Sequence, residues 1–431
     1  MRRTIPLLAT MTLTLLVASG LALAAGVGSA EADSSVVGPG ESIQKAVNAA
    51  DPGDTIVVKG VHYEDVFIGK NGIKLRGEDA VLEPPTRAGS PCPAICIAGD
   101  VNWETGDLTG PRVRDVGVSG FTIRGFEIEG EGALIDVLGA RNLTVVGNRI
   151  TGNVANGMSF SRTVNTTIAN NYAIGGPEIA EKGILLGGFN SHTKIVNNVV
   201  SSYNFGFDVN TSTNTTIAGN DLSGHSFAAI LLNDSPGTKI VSNDMSRSGV
   251  VGTVVIGQKA ANAKLVGNNI SGGPFGIYVA RIGSVDRGGS FAGNTIHDNC
   301  AGMFFEAFKG EPVGGFEVTG NTVKDNTRSC RAGQFDRNFS GIGIALLGAS
   351  GMEVKANHLS GNVPSGPTPV SGGVVVATNP FFGGSAKPKN NSVIGNNFGR
   401  NKPDIFWDES GSGNSFVGNN CNTSVPTRLC N

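Results

Sequence analysis

Four side chains in the middle of the sequence could move protons on a sugar, namely Arg281, His297, Glu306 and Asp336. A cation beside a sugar carboxylate makes the C5 proton more acidic, and a base can then remove it. Arg281, His297 or Tyr278 could act as that base, which would make the reaction a lyase type of elimination. Glycoside hydrolysis would instead need two carboxylates about 5–10 Å apart, for which Glu306 and Asp336 are the best pair.

Calcium is the one cofactor that these residues could hold. Asp208, Asp234 and Glu306 supply the carboxylate oxygens that Ca²⁺ prefers, with Asp208 and Asp234 as the core of the metal site. The cation would then neutralise the sugar carboxylate in place of an arginine.

Substrate contacts are expected from side chains that share a surface with the proton-transfer groups. These are Tyr278, Phe304, Asp208, Asn233 and Arg337. Structural alternatives remain open for each kind of residue. Glu306 could be a solvated strand residue, Tyr278 and Phe304 a simple aromatic ladder, His297 a bend residue, and Asp336 an ion-pair partner of Arg337.

A short repeated sequence motif must form the elements that position these residues. KLVGNNISGG at 264 recurs as LTVVGNRITGN at 143, TTIAGNDLSGH at 215 and FEVTGNTVKDN at 316, among other copies. The asparagine that closes the apolar pair recurs about every 24 residues. Its positions are Asn148, Asn171, Asn198, Asn220, Asn243, Asn268, Asn294, Asn321, Asn357, Asn396 and Asn419. A fixed period of this length indicates a solenoid.

The apolar residues of the repeat form short alternating clusters rich in Val, Ile and Thr, as strands do. Three short strands and three bends fit one period, so the sequence predicts an all-β, single-stranded parallel β-helix of about 11–13 coils. Asparagine tolerates the left-handed conformation of a sharp bend, and stacked amides can hydrogen-bond from coil to coil. Each repeated asparagine is therefore expected to form a corner.

A second repeated motif, in which glycine precedes apolar residues that alternate along a strand, predicts one long outward-facing sheet. Its inward side chains should be Met158, Phe160, Ile184, Leu186, Phe207, Val209, Ile277, Val279, Met303 and Phe305. Its outward column should be Asp136, Ser159, Asp208, Tyr278, Phe304 and Phe406. Coil stacking would bring Arg281, His297, Glu306 and Asp336 together beside this column.

The ends of a solenoid need covers, because they expose open strand edges. Residues 41–52 predict a capping helix that begins at Ser42, repeats follow over about 55–420, and residues 421–431 form the tail. Two swollen bends, 325–340 and 361–372, precede the outward sheet, where long loops often carry function.

The first 32 residues predict an export signal, because a basic start and an apolar run precede Ala30-Glu31-Ala32. The mature β-helix domain would then span 33–431, with no further membrane span, although an uncleaved anchor is the alternative. Six cysteines in an exported chain indicate disulfides, which local spacing would pair as Cys92–Cys96, Cys300–Cys330 and Cys421–Cys430. A net charge of -2 disfavours nucleic acid as a partner.

The opening SIQKAVNAADPGDTIVVKGVHYED, IKLRGE at 73 and the repeated phrases resemble the right-handed parallel β-helix superfamily. That superfamily includes pectate lyase-like proteins and periplasmic NosD-type repeat proteins, and the resemblance covers about residues 37–420. It implies a member of actinobacterial type whose partner is a polysaccharide. The predicted export signal implies a secreted or envelope location, and we expect a monomer. Catalytic motifs of polygalacturonases, pectate lyases and alginate epimerases are missing from the sequence.

Three functions follow from the sequence. The leading hypothesis is an exported protein that binds, and as a lyase or hydrolase cleaves, a uronate polymer or another glycan. The second is a non-catalytic surface or scaffold protein. The third is a NosD-like accessory protein, which the scarcity of His, Met and Cys clusters disfavours.

Overall fold

The structure is a computed structural model. It describes residues 32–83, 93–176, 180–280, 282–283, 288–308, 311–331, 338–381 and 385–430, without the side chains of 126–131 and 153–154. Three predicted site residues, Arg281, Asp336 and Arg337, lie outside the described residues, as do Cys92 and all of the predicted leader except Ala32.

The chain is a stack of β coils in which consecutive turns pair in parallel, and the pairing joins 37 strands into one continuous sheet. The first strands are β1 (Ser34–Val37), β2 (Thr55–His62), β3 (Val66–Ile68), β4 (Lys74–Leu82), β5 (Ile95–Ala98), β6 (Val113–Arg114), β7 (Gly117–Leu138), β8 (Ala140–Val146), β9 (Arg149–Ser161), β10 (Val164–Ala169), β11 (Tyr172–Gly175) and β12 (Lys182–Val196). The middle strands are β13 (Val199–Ser201), β14 (Phe205–Thr213), β15 (Thr216–Ala218), β16 (Asp221–Ser223), β17 (Ala228–Asn233), β18 (Lys239–Val241), β19 (Asp244–Ser246), β20 (Val254–Ile256), β21 (Ala263–Val266), β22 (Asn269–Ser271), β23 (Phe275–Ala280), β24 (Gly289–Ala292), β25 (Thr295–His297) and β26 (Ala301–Glu306). The last strands are β27 (Phe316–Thr319), β28 (Thr322–Lys324), β29 (Cys330–Arg331), β30 (Asn338–Phe339), β31 (Ile342–Leu347), β32 (Glu353–Lys355), β33 (His358–Ser360), β34 (Gly372–Ala377), β35 (Ser392–Ile394), β36 (Asn397–Gly399), β37 (Ile405–Trp407), β38 (Ser415–Val417) and β39 (Ser424–Val425).

Each coil passes through three walls, called here sheets 1, 2 and 3. Sheet 1 contains β14, β17, β20, β23, β26, β31, β34 and β37. Sheet 2 contains β15, β18, β21, β24, β27, β32, β35 and β38. Sheet 3 contains β16, β19, β22, β25, β28, β33 and β36. The longer strands of the first coils run along the same walls, so the predicted parallel β-helix is confirmed.

The interior is filled by stacked apolar side chains. Strand alternation predicts this set correctly, because the ten side chains expected to point inward from sheet 1 are all fully buried. Each of them lies above an apolar neighbour about 4.8 Å away on the next coil, so the core is continuous along the rod.

The repeated asparagines form a ladder at the corner between sheets 2 and 3. From Asn148 to Asn419, each ladder residue donates from Nδ2 to Oδ1 of the next, at 2.8–3.1 Å. The same Oδ1 also accepts the preceding ladder residue's main-chain N–H, as Asn294 Oδ1 does from Asn268 at 3.0 Å. Every coil therefore pairs its corner amide with the coil that follows it.

The expectation that the ladder asparagine itself takes the left-handed conformation is wrong. The positive φ falls on the residue before it, for example 64° at Gly267, 52° at Ser242 and 52° at Ala356. The ladder side chain must point into the coil to reach its neighbour, so the sharp reversal is made by the preceding residue. This explains why glycine so often precedes the asparagine.

A second, shorter ladder at the corner between sheets 3 and 1 was not predicted. Asn299, Asn326, Asn362 and Asn401 are linked from Nδ2 to Oδ1 at 2.8–2.9 Å. Its sequence signal is the asparagine that ends IHDN at 296 and VKDN at 323.

The predicted covers are present at both ends. Helix α1 (Ile43–Ala49) begins after Ser42, whose hydroxyl accepts from the main-chain N–H of Lys45. Cys421–Cys430 ties the tail and Cys300–Cys330 ties the insertion between β28 and β31 to the coil, as predicted. Cys96 is disulfide-bonded, but its predicted partner Cys92 lies outside the described residues. Within the described ranges, no helix has the length and apolar character needed to cross a membrane.

Candidate functional site

The outer surface of sheet 1 carries one side-chain column along the rod. The strand register places Asp136, Ser159, Asp208, Tyr278, Phe304 and Phe406 on this column, as predicted, with aliphatic residues between them. Stacking thus brings Tyr278 beside Phe304, although they lie on different coils.

The centre of the candidate site is a hydrogen-bonded pair on this surface. Glu306 ends β26 opposite Ala280 of β23, and its side chain is fully buried. The hydroxyl of Tyr278, a partly buried side chain, donates to Oε2 of Glu306 at 2.6 Å. The amide of Asn379 donates to Oε1 of the same carboxylate. Both carboxylate oxygens therefore accept hydrogen bonds, as a buried charge requires.

An aromatic cluster covers sheet 1 beside this pair. Phe275 stacks on Phe339 with centroids 4.5 Å apart, and Phe304 packs against Phe275 at 4.6 Å and Phe381 at 5.7 Å. Phe304 is only 1% exposed. It faces outward from the coil as predicted, but the insertion and the loop after β34 cover it, so its ring is not accessible to a substrate. Tyr278 remains the accessible aromatic residue of the predicted pair.

His297 is not brought to Glu306. It ends β25 on sheet 3, where Nδ1 lies 2.7 Å from Asp298 Oδ2 and Nε2 lies 3.1 Å from Asn269 Oδ1. Both ring nitrogens are therefore engaged on another wall of the coil. The expectation that coil stacking would join His297 to the site fails because the bend after β25 separates the two walls.

Glu306 lies far from the other acidic residues of the predicted calcium site. Asp208 and Glu306 lie four rungs apart on sheet 1, about 19 Å, so they cannot bind the same ion. Asp208 is nearly buried and accepts from Asn210 at 2.6 Å; burial raises the pKa of its carboxyl, while Lys182 opposes that shift. Asn233 pairs in register with Asn210, and Asp234 is exposed in the following turn. The described residues contain no group of three or more His, Cys, Asp or Glu side chains placed to hold a metal.

Two side chains of the site, Asn379 and Phe381, were missed by the sequence reasoning. They lie in the loop that follows β34, with Asn379 on Glu306 and Phe381 over Phe304. The available signal was the run NPFFGG at 379, placed directly after an outward strand within the longest step of the asparagine repeat.

The sequence matches a known protein family over part of its length. A family model described as "Right handed beta helix region" matches residues 182–379. The match covers the middle of the chain, and together with the parallel coil it shows that the fold is a right-handed parallel β-helix.

Solved structures of the same fold are similar along most of the chain. The Azotobacter vinelandii mannuronan C-5 epimerase AlgE6 A-module is 14% identical, with a TM-score of 0.55, over 88% of this chain and 94% of that one. The periplasmic alginate epimerase AlgG is 14% identical with a TM-score of 0.49, over 89% and 83%. PfbA, a surface adhesin of Streptococcus pneumoniae, is 13% identical with a TM-score of 0.43, over 87% of each chain. No curated protein sequence matches the chain significantly.

Proposed function

We propose that the protein binds an acidic polysaccharide across the outer surface of sheet 1 and moves a proton on it through Tyr278. The observation that carries this proposal is the 2.6 Å hydrogen bond from the partly buried Tyr278 hydroxyl to the fully buried carboxylate of Glu306. A buried carboxylate fixes the direction of the phenol without contacting the sugar. Tyr278 is thus the catalytic residue of the proposal, and Glu306 and Asn379 are positioning residues.

The chemistry that fits a fixed phenol is proton transfer at C5 of a uronate. The Tyr278 oxygen takes the C5 proton as its own proton passes to Oε2 of Glu306. The electron pair of the C5–H bond then either expels the C4 oxygen, which takes a proton as it leaves, or recovers a proton on the opposite face of the ring. The first outcome is a lyase reaction and the second is an epimerisation. Neutralisation of the sugar carboxylate stays assigned to Arg281 or a calcium ion, both as predictions from the sequence.

The similarity to a mannuronan C-5 epimerase module establishes only the shared fold, but it makes mannuronan the first polymer to test. Two disulfides among the described residues fit an oxidising compartment, where such polymers occur, and this supports the proposed export.

The experiment compares the full mature chain with two conservative variants. Tyr278→Phe removes only the hydroxyl, and Glu306→Gln keeps the side-chain shape while it removes the charge. Each protein is incubated with mannuronan, pectate and a glycosaminoglycan, with and without Ca²⁺, in D₂O. NMR then records deuterium at C5 and unsaturated ends. We expect Tyr278→Phe to lower the rate about 100-fold or more.

The matched control is Tyr172→Phe, which changes another partly buried tyrosine on sheet 3, stacked under Arg149. Its rate should equal that of the unmodified protein. An activity that survives Tyr278→Phe unchanged rules out the proposed centre, and an absence of product from every acidic polymer rules out the reaction.

Binding without catalysis is the second candidate, and the covered aromatic cluster favours it. Glu306 and Phe304 are both at most 1% exposed, as expected of structural residues. If the protein binds polysaccharide but no deuterium is incorporated, the non-catalytic surface or scaffold function is supported. No observation on the described residues favours the accessory role in metal-cofactor assembly.

A further inference from the structure

A basic cavity lies at the edge where the chain enters sheet 1. Its volume is about 530 Å³, a size typical of ligand sites. Among the described residues that line it are three arginines, Arg247, Arg328 and Arg331, and no acidic side chain. The whole chain has a net charge of -2, so this concentration of positive charge is local.

The first two arginines converge on one residue, Gly272. Arg328 Nη1 donates to the Gly272 carbonyl oxygen, and Arg247 Cγ lies 3.5 Å from the position that a Cβ of Gly272 would occupy. Both arginine side chains are exposed, and neither has a carboxylate partner in the described part of the chain. Asp298, on the same corner, pairs with His297 instead. Two guanidinium groups that face a shared cavity without an internal counter-charge favour an anionic ligand.

The third arginine is placed by the disulfide. Arg331 follows Cys330, whose bond to Cys300 ties the β29–β30 hairpin to the coil. A buried serine adds a polar group to the lining, because Ser248 is 2% exposed and its Oγ has no hydrogen-bond partner. The basic cavity is therefore built from two separate coils and an anchored insertion.

We propose that this cavity binds the carboxylate or sulfate group of an acidic polysaccharide, as a recognition site separate from the Tyr278–Glu306 pair. The proposal rests on the proposed function only in that the bound acid is carried by a polysaccharide. Pro274 of the lining and Tyr278 lie four residues apart along one extended stretch, about 13 Å, which a short oligosaccharide can span. Val250 is 54% exposed at the rim and offers an apolar surface to a sugar ring.

The test measures affinity by calorimetry on the full chain with four probes. These are a uronate oligosaccharide, a sulfated oligosaccharide, a neutral oligosaccharide of the same length, and inorganic sulfate. We expect the uronate or the sulfated probe to bind, with an affinity that falls as salt rises, and the neutral probe to bind at least tenfold more weakly. Preference for one acidic probe identifies which acid the site takes.

Arg247→Gln is the main variant, because the Arg247 side chain makes no hydrogen bond or ion pair in the described part of the chain, so its loss should not disturb folding. We expect about tenfold weaker binding, and a larger loss when Arg328→Gln is added. The matched control is Arg400→Gln. Arg400 sits in the equivalent bend of a later coil, with φ 58° against 55° at Arg247, and lies outside the cavity.

The outcomes separate this site from the proposed reaction. Tyr278→Phe should abolish product formation, whereas Arg247→Gln should weaken the affinity for the acidic probe whether or not any product forms. Equal affinities for Arg247→Gln and Arg400→Gln would overturn the proposal. Tighter binding of inorganic sulfate than of either acidic oligosaccharide would also overturn it, since the site would then bind free anions.

Discussion

Replacement of Asn243 by alanine tests whether the asparagine ladder stabilises the coil. The side chain of Asn243 is 2% exposed. It donates to Asn268 Oδ1 at 3.0 Å and to the carbonyl oxygens of Ile217 and Val241, both at 3.1 Å. Its own Oδ1 accepts from the main-chain and side-chain nitrogens of Asn220, both at 2.9 Å. One side chain therefore connects three successive coils.

The magnitude follows from the groups left behind. Alanine leaves the buried main-chain N–H of Asn220 without its acceptor, which costs about 1–3 kcal/mol, and each other lost bond contributes about 0.5–1.5 kcal/mol. These terms sum to about 3–9 kcal/mol. Because single substitutions seldom cost more than about 5 kcal/mol, we expect Asn243→Ala to lower the free energy of unfolding by about 3–5 kcal/mol. The matched control is Asn420→Ala, because Asn420 is exposed and its side chain makes one hydrogen bond, to Asn397. Its cost should be about 0.5 kcal/mol.

The assay is urea unfolding followed by circular dichroism, with amide hydrogen exchange at Asn220 as a local readout. Solenoids need not unfold in one step, so the comparison uses the shift of the first transition midpoint. Exchange at the Asn220 amide should accelerate in Asn243→Ala and stay slow in Asn420→Ala. A midpoint shift for Asn243→Ala no larger than that of Asn420→Ala would refute the reasoning, because the sheet alone would then account for the stability.

Three further predictions concern pH and the covering loops. Burial lowers the pKa of His225 to about 4, below its unfolded value of about 6.5. The free energy of unfolding should therefore fall by about 3 kcal/mol as pH drops from 6.5 to 4. Urea unfolding midpoints should fall with pH over this range in the unmodified protein and should not do so in His225→Gln. Burial raises the pKa of Asp136 to about 6, so the folded protein holds this proton more tightly than the unfolded chain. The free energy of unfolding should therefore fall as pH rises from about 3.8 through 6. Asp136→Asn should therefore stabilise the protein by about 1–3 kcal/mol at pH 7 and by nothing at pH 3, and an equal effect at both would contradict this. Phe339→Ala should cost about 3–5 kcal/mol and open the insertion to proteolysis, because Phe339 stacks on Phe275 and is buried, whereas Phe189→Ala at a site 63% exposed should not.

The coil could be predicted because its information is local and repeated. Side chains alternate along the strand GIYV at 276, so Ile277 and Val279 point inward and Tyr278 points outward, as the strand register shows. The period of the asparagines sets which coils stack. Each corner has the same geometry, so the same short motif recurs in every coil and the repetition makes the prediction reliable.

The surroundings of Glu306 could not be predicted, because they come from segments outside the repeat. Asn379 reaches it from a loop 73 residues later. A loop without periodicity carries no signal for its path, so an outward glutamate on sheet 1 was expected to be solvated or exposed to substrate. The structure buries it fully instead.

The sequence by itself determined the walls of this protein, since alternating apolar residues and corner asparagines dictate a coil that can stack only in one register. The tertiary structure alone decided which parts of the outer surface are open. Loops that fold back over sheet 1 bury Phe304 and Glu306, and two coils of the same corner bring Arg247 and Arg328 to Gly272. The physical reason is that strand pairing is set by short repeated patterns, whereas loop docking depends on contacts between residues far apart in the chain.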